Sequence, residues 1–518
     1  MKTSPLTAAL AALLLVAATL TGCAGLPALD GRTPSHYIGA TAATRLGTAL
    51  APLNAAHPGM SGLHSLVNGR DAFAARAMLA NAAERTLDVQ YYIWRNDTTG
   101  RLMLNALRAA AARGVRVRLL LDDNNTQGLD RLLAALDADP NIEVRLFNPF
   151  VTRAHRALGY LSDFARLNRR MHNKSFTADN AATIIGGRNI GDEYFGVAGN
   201  MLFIDLDVMA VGPVVDAVSR DFDRYWNSRS AYPVGLLVPP AAADGADQLS
   251  AQAGQDAAGA AGVDYVAAVR ASPFVAQLVE RSLPFEWAST TLVSDHPDKV
   301  LGTEAPETRV TYQLQKLLGD PTHTVDLVSP YFVPGKTWAA NFAAMAARGM
   351  DVHILTNSLE ATDVAAVHAG YAKWRKPLLE AGVTLYELHR GAGGEGAPEG
   401  ARGGSLGSSA SSLHAKTFSV DRKRVFIGSF NFDPRSADLN TEMGFVIESP
   451  EMAARMAKVL REQVPARAYR VRLAPGGELY WTERVGETEI RHDTEPGTGF
   501  WKRAAVGFLS LLPIDWLL

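Results

Sequence analysis

The sequence predicts an α/β protein built as two pseudo-symmetric halves, each a mixed β-sheet flanked by helices. Three observations lead there. The chain has 518 residues, more than one ordinary domain core holds. It repeats itself, since Ala111–Leu120 and Ala346–Leu355 are identical at six of ten positions. Each copy also sets an alanine-rich helical stretch between apolar runs of strand length.

The elements follow in order. In both copies the helical stretch ends at Arg-Gly, Arg113-Gly114 and Arg348-Gly349, because glycine accepts the backbone turn that stops a helix. The apolar run after it reads as a buried strand. Leu87–Trp94 and Val325–Val333 are the strands before the helix. Ile142–Phe147 and Val383–Leu388 are the next strands downstream. Strand, helix, strand, repeated, gives βαβ units. The halves then span Leu63–Asn227 and Asp264–Glu448. Residues 23–62 read as a tether and residues 449–518 as a C-terminal extension. Residues 228–263 read as a flexible linker, because Pro239–Gly262 is nearly all Ala, Gly, Asp, Gln and Pro. A second such stretch, Gly391–Ser412, lacks a Walker-type ending and reads as a mobile loop over the site.

The ends point to a membrane. Residues 1–22 have a positive start, an apolar run from Leu6 to Leu20 and a small-residue cleavage site, which read as a secretory signal. The one cysteine of the chain, Cys23, closes Leu20-Thr21-Gly22-Cys23, so no intrachain disulfide is possible. That word resembles a bacterial lipobox, in which the cysteine is lipidated and becomes the new N-terminus. The expectation is a lipid-anchored protein on the exported face of a bacterial envelope membrane, with Ala24 favouring the outer membrane. The tail Phe500–Leu518 carries aromatics at both ends and two early cations, and is short for a span. It reads either as an interfacial segment or as a helix packed on the protein's own core. The formal net charge of −2 provides no global basic field, which argues against a nucleic-acid substrate.

Each half carries one polar constellation. The first is His172, Lys174, Asp179, Gly187 and Asn189. The second is His414, Lys416, Asp421, Ser429 and Asn431, with the same spacing. Two residues apart on a strand, each His and Lys share a face. Asp179-Asn180 and Asp421-Arg422 fall where a turn is expected, and the returning strands Ala182–Ile185 and Arg424–Ile427 deliver Gly187, Ser429 and the Asn beside the His. A phosphodiester repels nucleophiles, so its site needs cations on the non-bridging oxygens, a nucleophile on one side and an acid on the other. Lys174 and Lys416 supply the first, and the two histidines the rest. Gly187, Ser429, Asn189 and Asn431 would bind the phosphate. No metal and no cofactor is called for, since Lys is not a usual metal ligand.

The pattern His-x-Lys-x4-Asp followed by Gly-Gly/Ser-x-Asn, twice, resembles the phospholipase D superfamily, over nearly the whole mature chain. Asp88–Trp94, Arg169–Lys174 and Gly187–Phe195 are similar to its cardiolipin synthase C-like branch. That resemblance implies a metal-independent phosphatidyltransferase with both motifs in one cleft of a single chain, acting on phosphatidylglycerol, with phosphatidylethanolamine as a second candidate substrate. It assigns His172 as nucleophile and His414 as acid. It also implies a carboxylate behind each histidine, at Asp205 and Glu442, with Glu193 and Asp207 as rivals. Hydrolysis by the same site, or a phosphodiesterase acting on nucleic acid, are the alternatives. Arg188 and Arg435 are expected to be in ordinary surface ion pairs rather than on substrate. The chain departs from typical cardiolipin synthases in carrying a lipoprotein signal where they carry two membrane spans.

Overall fold

The computed structural model describes residues 25–197, 202–242, 244–280, 282–390, 411–512 and 515. The first half contains β1 (Ser61–Leu66), β2 (Thr86–Tyr91), β3 (Arg116–Asp122), β4 (Ile142–Phe147), β5 (Ser175–Ala178), β6 (Ala182–Gly186), β7 (Leu202–Ile204), β8 (Asp207–Val211) and β9 (Ala231–Pro233). The second contains β10 (Glu286–Ser294), β11 (Thr324–Val328), β12 (Asp351–Asn357), β13 (Thr384–Leu388), β14 (Ser411–Leu413), β15 (Thr417–Val420), β16 (Arg424–Gly428), β17 (Met443–Glu448), β18 (Ala468–Leu473), β19 (Leu479–Val485) and β20 (Thr488–His492).

Each half repeats one topology. β2, β3 and β4 are parallel, and so are β11, β12 and β13. β5 runs antiparallel to β2, then β6 and β8 follow. β15 runs antiparallel to β11, then β16 and β17 follow. β1 and β10 flank these sets and pair with each other, Gly62 opposite Trp287, which among the described residues makes one 18-stranded sheet across both halves. β7 and β14 form a separate parallel ribbon. The parallel strands are buried on both faces, as their apolar runs predicted, and Asp88, Gln90, Arg118 and Asp326 are buried within them. The crossover helices supply the cover. Thr98–Ala112 buries Met103, Leu104 and Leu107, and Gly335–Ala347 buries Ala339 and Phe342.

A third cluster lies between the halves. Leu63, Ile185, Val208 and Ala210 of the first half pack on Val425, Ile427, Phe445 and Ile447 of the second. Full burial of one such side chain contributes about 1.5–3 kcal/mol, so the seam is a third core beside the core of each half.

The hairpins after each motif fold as expected, but the motif aspartates serve the turn. Asp179 and Asn180 have φ of 51° and 46°, and Asp421 and Arg422 have 53° and 52°, so both central residues of each hairpin are left-handed. The Asp179 carboxylate accepts from the backbone N–H groups of Glu84, Arg85 and Thr86 at 2.8–3.0 Å. Asp421 accepts in the same way from Thr322, His323 and Thr324 at 2.7–3.1 Å. Both lie at the end of a four-residue strand that starts beyond His172 or His414, about 13 Å of strand away. The expectation that Asp179 and Asp421 are catalytic is therefore corrected, because these carboxylates fix the start of β2 and β11.

The flanking segments also differ from expectation. Alanine's helix propensity outweighs the glycines in the presumed linker, where Gly245–Ala258 is a helix that packs on Thr98–Ala112. Leu249, Tyr265 and Phe274 join the first core, so the first half extends past Asp264. The presumed tether is anchored from Arg32 on, whose guanidinium donates to the carbonyls of Asn227, Ser228 and Ala231. Residues 449–518 are not an appendage either. β18 closes the open edge of β13, and Trp481 enters the second core. The Phe500–Ser510 helix packs on the Ala365–Ala372 helix, while Phe500, Trp501 and Phe508 remain exposed. The lipidation site Cys23 and nearly all of Gly391–Ser412 lie outside the described residues.

Asp179→Ala leaves three backbone donors without their charged acceptor. It should lower stability by about 3 kcal/mol, read as a fall in the urea midpoint at constant m-value.

Candidate active site

The histidines are placed by register. β5 pairs antiparallel with β2, so its start lies at the C-terminal edge of the parallel strands, the edge where open α/β sheets carry their sites. β15 does the same beside β11. The residue before each histidine then bridges to the opposite half. Met171 pairs in parallel with Thr441, and Leu413 with Ile204. His172 N–H donates to Thr441 O at 2.9 Å, and His414 N–H to Ile204 O at 2.8 Å. One residue further along each partner strand stands a carboxylate. His172 Nδ1 is 2.8 Å from Glu442 Oε2, and His414 Nδ1 is 2.5 Å from Asp205 Oδ2. Each imidazole is thus backed by the other half, and its remote nitrogen is left for the cleft.

A cavity of about 760 Å³ opens between the halves, with His172, His414, Asn189 and Asn431 in its wall. Aromatic rings hold the imidazoles, Tyr92 and Tyr194 edge-on and Phe203 tilted. Tyr92 lies 4.9 Å from His172, and Tyr194 and Phe203 lie 5.3 and 5.0 Å from His414, centroid to centroid. Lys174 Nζ donates to His172 O at 2.6 Å and Lys416 Nζ donates to His414 O, so both ammonium groups are buried under the histidines. Asn189 is held by Ile93 N–H and the Tyr194 hydroxyl.

The electrostatics of the two halves differ. Burial, with Lys174 and Lys416 nearby, holds His172 well below the ordinary imidazole range. Its partner Glu442 is pushed up to about 7 by burial. Asp205 is the reverse case: burial raises it, but His414 and Lys416 hold it below the usual carboxylate range. His414 is lowered by burial and Lys416, and Asp205 works against both. Burial brings Lys174 down to about 7 and Lys416 to about 8. One imidazole therefore stands beside a carboxylate that readily takes a proton, and the other beside one that stays ionised.

Of the predicted residues, His172, His414, Asn189 and Asn431 line the cavity, and Lys174, Lys416, Asp205 and Glu442 stand directly behind them. Gly187 and Ser429 do not line it. Ser429 Oγ donates to Glu442, and a Cβ on Gly187 would lie 2.0 Å from Asp205 Oδ1. The expectation that these two bind phosphate is corrected, because they seat the carboxylates. The rivals are engaged elsewhere, Glu193 with Arg95 and Asp207 with Arg76. Neither Arg188 nor Arg435 makes the surface ion pair expected of it. Arg188 is buried on the carbonyls of Leu66 and Asp205, and Arg435 reaches Asn168 across the halves and lines the cavity. Tyr92, Tyr194, Phe203 and Tyr331 were missed. The edge rule for α/β sheets points to Tyr92, one residue past β2; Tyr331 shows only in three dimensions.

Gly187→Ala displaces Asp205 from His414. The variant should fold, with turnover down at least a hundredfold and the His414 imidazole shifted in its NMR titration. Unchanged titration would mean that Asp205 tolerates the methyl.

The model of the family described as cardiolipin synthase, phospholipase D-like domain, matches residues 76–226 and again residues 314–464. Cardiolipin synthase C of Escherichia coli strain K12 is 51% identical over 480 residues, 92% of this chain and 100% of that protein. Cardiolipin synthase A of Pseudomonas syringae pv. syringae is 25% identical over 398 residues, 76% of this chain and 67% of that protein. Among solved structures, phosphatidylserine synthase of Haemophilus influenzae superposes with a TM-score of 0.53 at 14% identity, covering 82% of this chain and 91% of that one, which supports the shared fold. A duplicated family match, and an identity above half along a whole relative, agree with the doubled topology: the chain belongs to the phospholipase D-like family that includes the cardiolipin synthases.

Proposed function

We propose that the protein is a phosphatidyltransferase that makes cardiolipin by transfer onto phosphatidylglycerol through a phosphohistidine. The observation that carries this reading is the pair of histidines in one cleft, each backed by the opposite half's carboxylate and both underlain by lysines. The 51% identity to a cardiolipin synthase supports the substrate class.

The residues divide the work as follows. The phosphate sits between the imidazoles, with its non-bridging oxygens toward Lys174, Lys416, Asn189 and Asn431. His172 stays neutral and keeps Nδ1–H on Glu442, so its Nε2 lone pair attacks phosphorus. The bond to the leaving alcohol breaks as His414 Nε2–H protonates that oxygen. His414 suits the acid role because ionised Asp205 stabilises its imidazolium. The acceptor hydroxyl then gives its proton to His414 and attacks phosphorus, which breaks the P–N bond and frees His172. Cys23 is proposed to carry a lipid anchor on the exported face of the envelope, on the outer membrane, which radiolabelled palmitate would report.

The test is lipid mass spectrometry on vesicles of labelled phosphatidylglycerol and phosphatidylethanolamine. Cardiolipin should form with the native protein and not with His172→Ala, and the label names the donor. Phosphatidic acid without cardiolipin would make the protein a hydrolase. No lipid change at all would sink the proposal.

The pH profile follows from the same groups. The lysines are cationic below about 7 and 8 and lose charge as pH rises through those values. The acid His414 must be protonated and is held below the ordinary imidazole value, so the alkaline limb of kcat/KM should lie in or below the ordinary histidine range, before the lysines lose charge. The acid limb should lie below the ordinary histidine range, since His172 must be deprotonated to attack. Lys416→Arg keeps a cation beside His414 at every pH and should leave that limb in place; a limb that moved upward would assign it to the lysine.

A further inference from the structure

Two apolar protrusions rise from the edge of the sheet that carries the cleft. The first is the loop after β4, with the helix Arg156–Ser162. It exposes Leu158 at 55%, Leu161 at 85% and, just beyond, Phe164 at 42%. Its base is fixed by Arg153 and Arg156 on Asp123, directly after β3. Tyr160 donates to Asn124 Oδ1, and the adjacent Asn125 side chain reaches Tyr92 O at the cavity wall. The second is the helix Phe500–Ser510, which leans on the segment after β12. Val506 packs with Leu359 and Ala369, and Lys502 Nζ donates to Leu359 O. The same segment supplies Asp363, Val364 and Val367 to the cavity wall.

The helical period separates the roles of the Phe500–Ser510 helix. At about 100° per residue, Phe500, Trp501, Phe508 and Leu511 fall on one face, opposite Val506 and Leu509. Those four residues are 66, 81, 64 and 82% exposed. β3 and β4 of the first half, and β12 of the second, all end at the cleft edge of their sheets, so both protrusions stand on the side where the cavity opens.

We propose that these two protrusions are feet that dock the protein on a lipid bilayer and set the cleft mouth on the membrane surface between them. The inference rests on the reading of phospholipids as substrates. Aromatic and aliphatic side chains lying on the surface, with cations at the helix start, are the residues that settle at headgroup depth. Among the described residues no helix is long and apolar enough to cross a membrane, so the contact is a surface one. A second copy of the chain covering both feet would block the mouth. A bilayer fills both feet and supplies the cleft at once.

The test uses the full chain on vesicles of phosphatidylglycerol and phosphatidylethanolamine. A photoreactive benzoylphenylalanine replaces Leu161, Phe508 or, as an exposed control, Val279, which is 70% exposed. Lipid adducts are expected at 161 and at 508, each at least tenfold above 279. Adducts at only one foot, adducts equal to the control, or protein–protein adducts at both feet would overturn the proposal. In parallel, the paired variants L158D/L161D and F500D/F508D are assayed on vesicles and on monomeric short-chain phosphatidylglycerol. The ratio of vesicle to monomer turnover should fall at least tenfold in each; a ratio equal to that of the native chain would also overturn it. If the native chain turns over neither form, the phosphatidyltransferase reading fails, and the adduct pattern still decides the docking.

Discussion

Everything at the site hangs on two short parallel backbone bridges that cross the seam. Thr441 lies beside Met171 and Ile204 beside Leu413, so the next residue on each side brings a carboxylate to an imidazole. Neither half contains a complete histidine pair with its partners. The strand order explains why the exchange is mutual: the same topology applied twice, joined at β1 and β10, gives a pseudo-twofold arrangement in which each donation has its counterpart.

The repeated scaffold then carries unequal details. At the end of β3, Asp122 accepts from Met171 N–H and pairs with Arg170, both buried. At the end of β12, Asn357 takes the N–H of Leu413 with a neutral amide, and among the described residues no arginine pairs with it. Behind the histidines, Glu442 leans on a serine, whereas Asp205 occupies the space that the missing side chain of a glycine leaves open. Equal backbones with unequal charges are what two different proton tasks require, because a site of perfect symmetry would hold both imidazoles in the same state.

Much of this was legible in the chain, and the limits have physical causes. The repeat, the strands and the hairpin turns carry strong local signals, namely apolar runs, Arg-Gly stops and Asp-Asn or Asp-Arg turns. Spacing brought His172, Lys174 and Asn189 together with His414, Lys416 and Asn431. Spacing misled at Asp179 and Asp421, since a residue fixed relative to a motif can be fixed for the turn rather than for the chemistry. Composition misled at Gly245–Ala258, where alanine content reads as low complexity but folds as a helix once Leu249 has a core to enter. Arg435 was placed on the surface because nothing along the chain shows that Asn168 stands across from it.

The seam has one consequence for how the enzyme fails. β1–β10, the apolar cluster around Phe445 and the two crossed bridges are all one structure. Anything that loosens it withdraws Glu442 and Asp205 together, while the two halves keep the separate cores they have on either side of it. Inactivation by heat or denaturant should thus run ahead of the loss of secondary structure. The duplicated architecture makes the chemistry a more sensitive reporter of integrity than the fold that supports it.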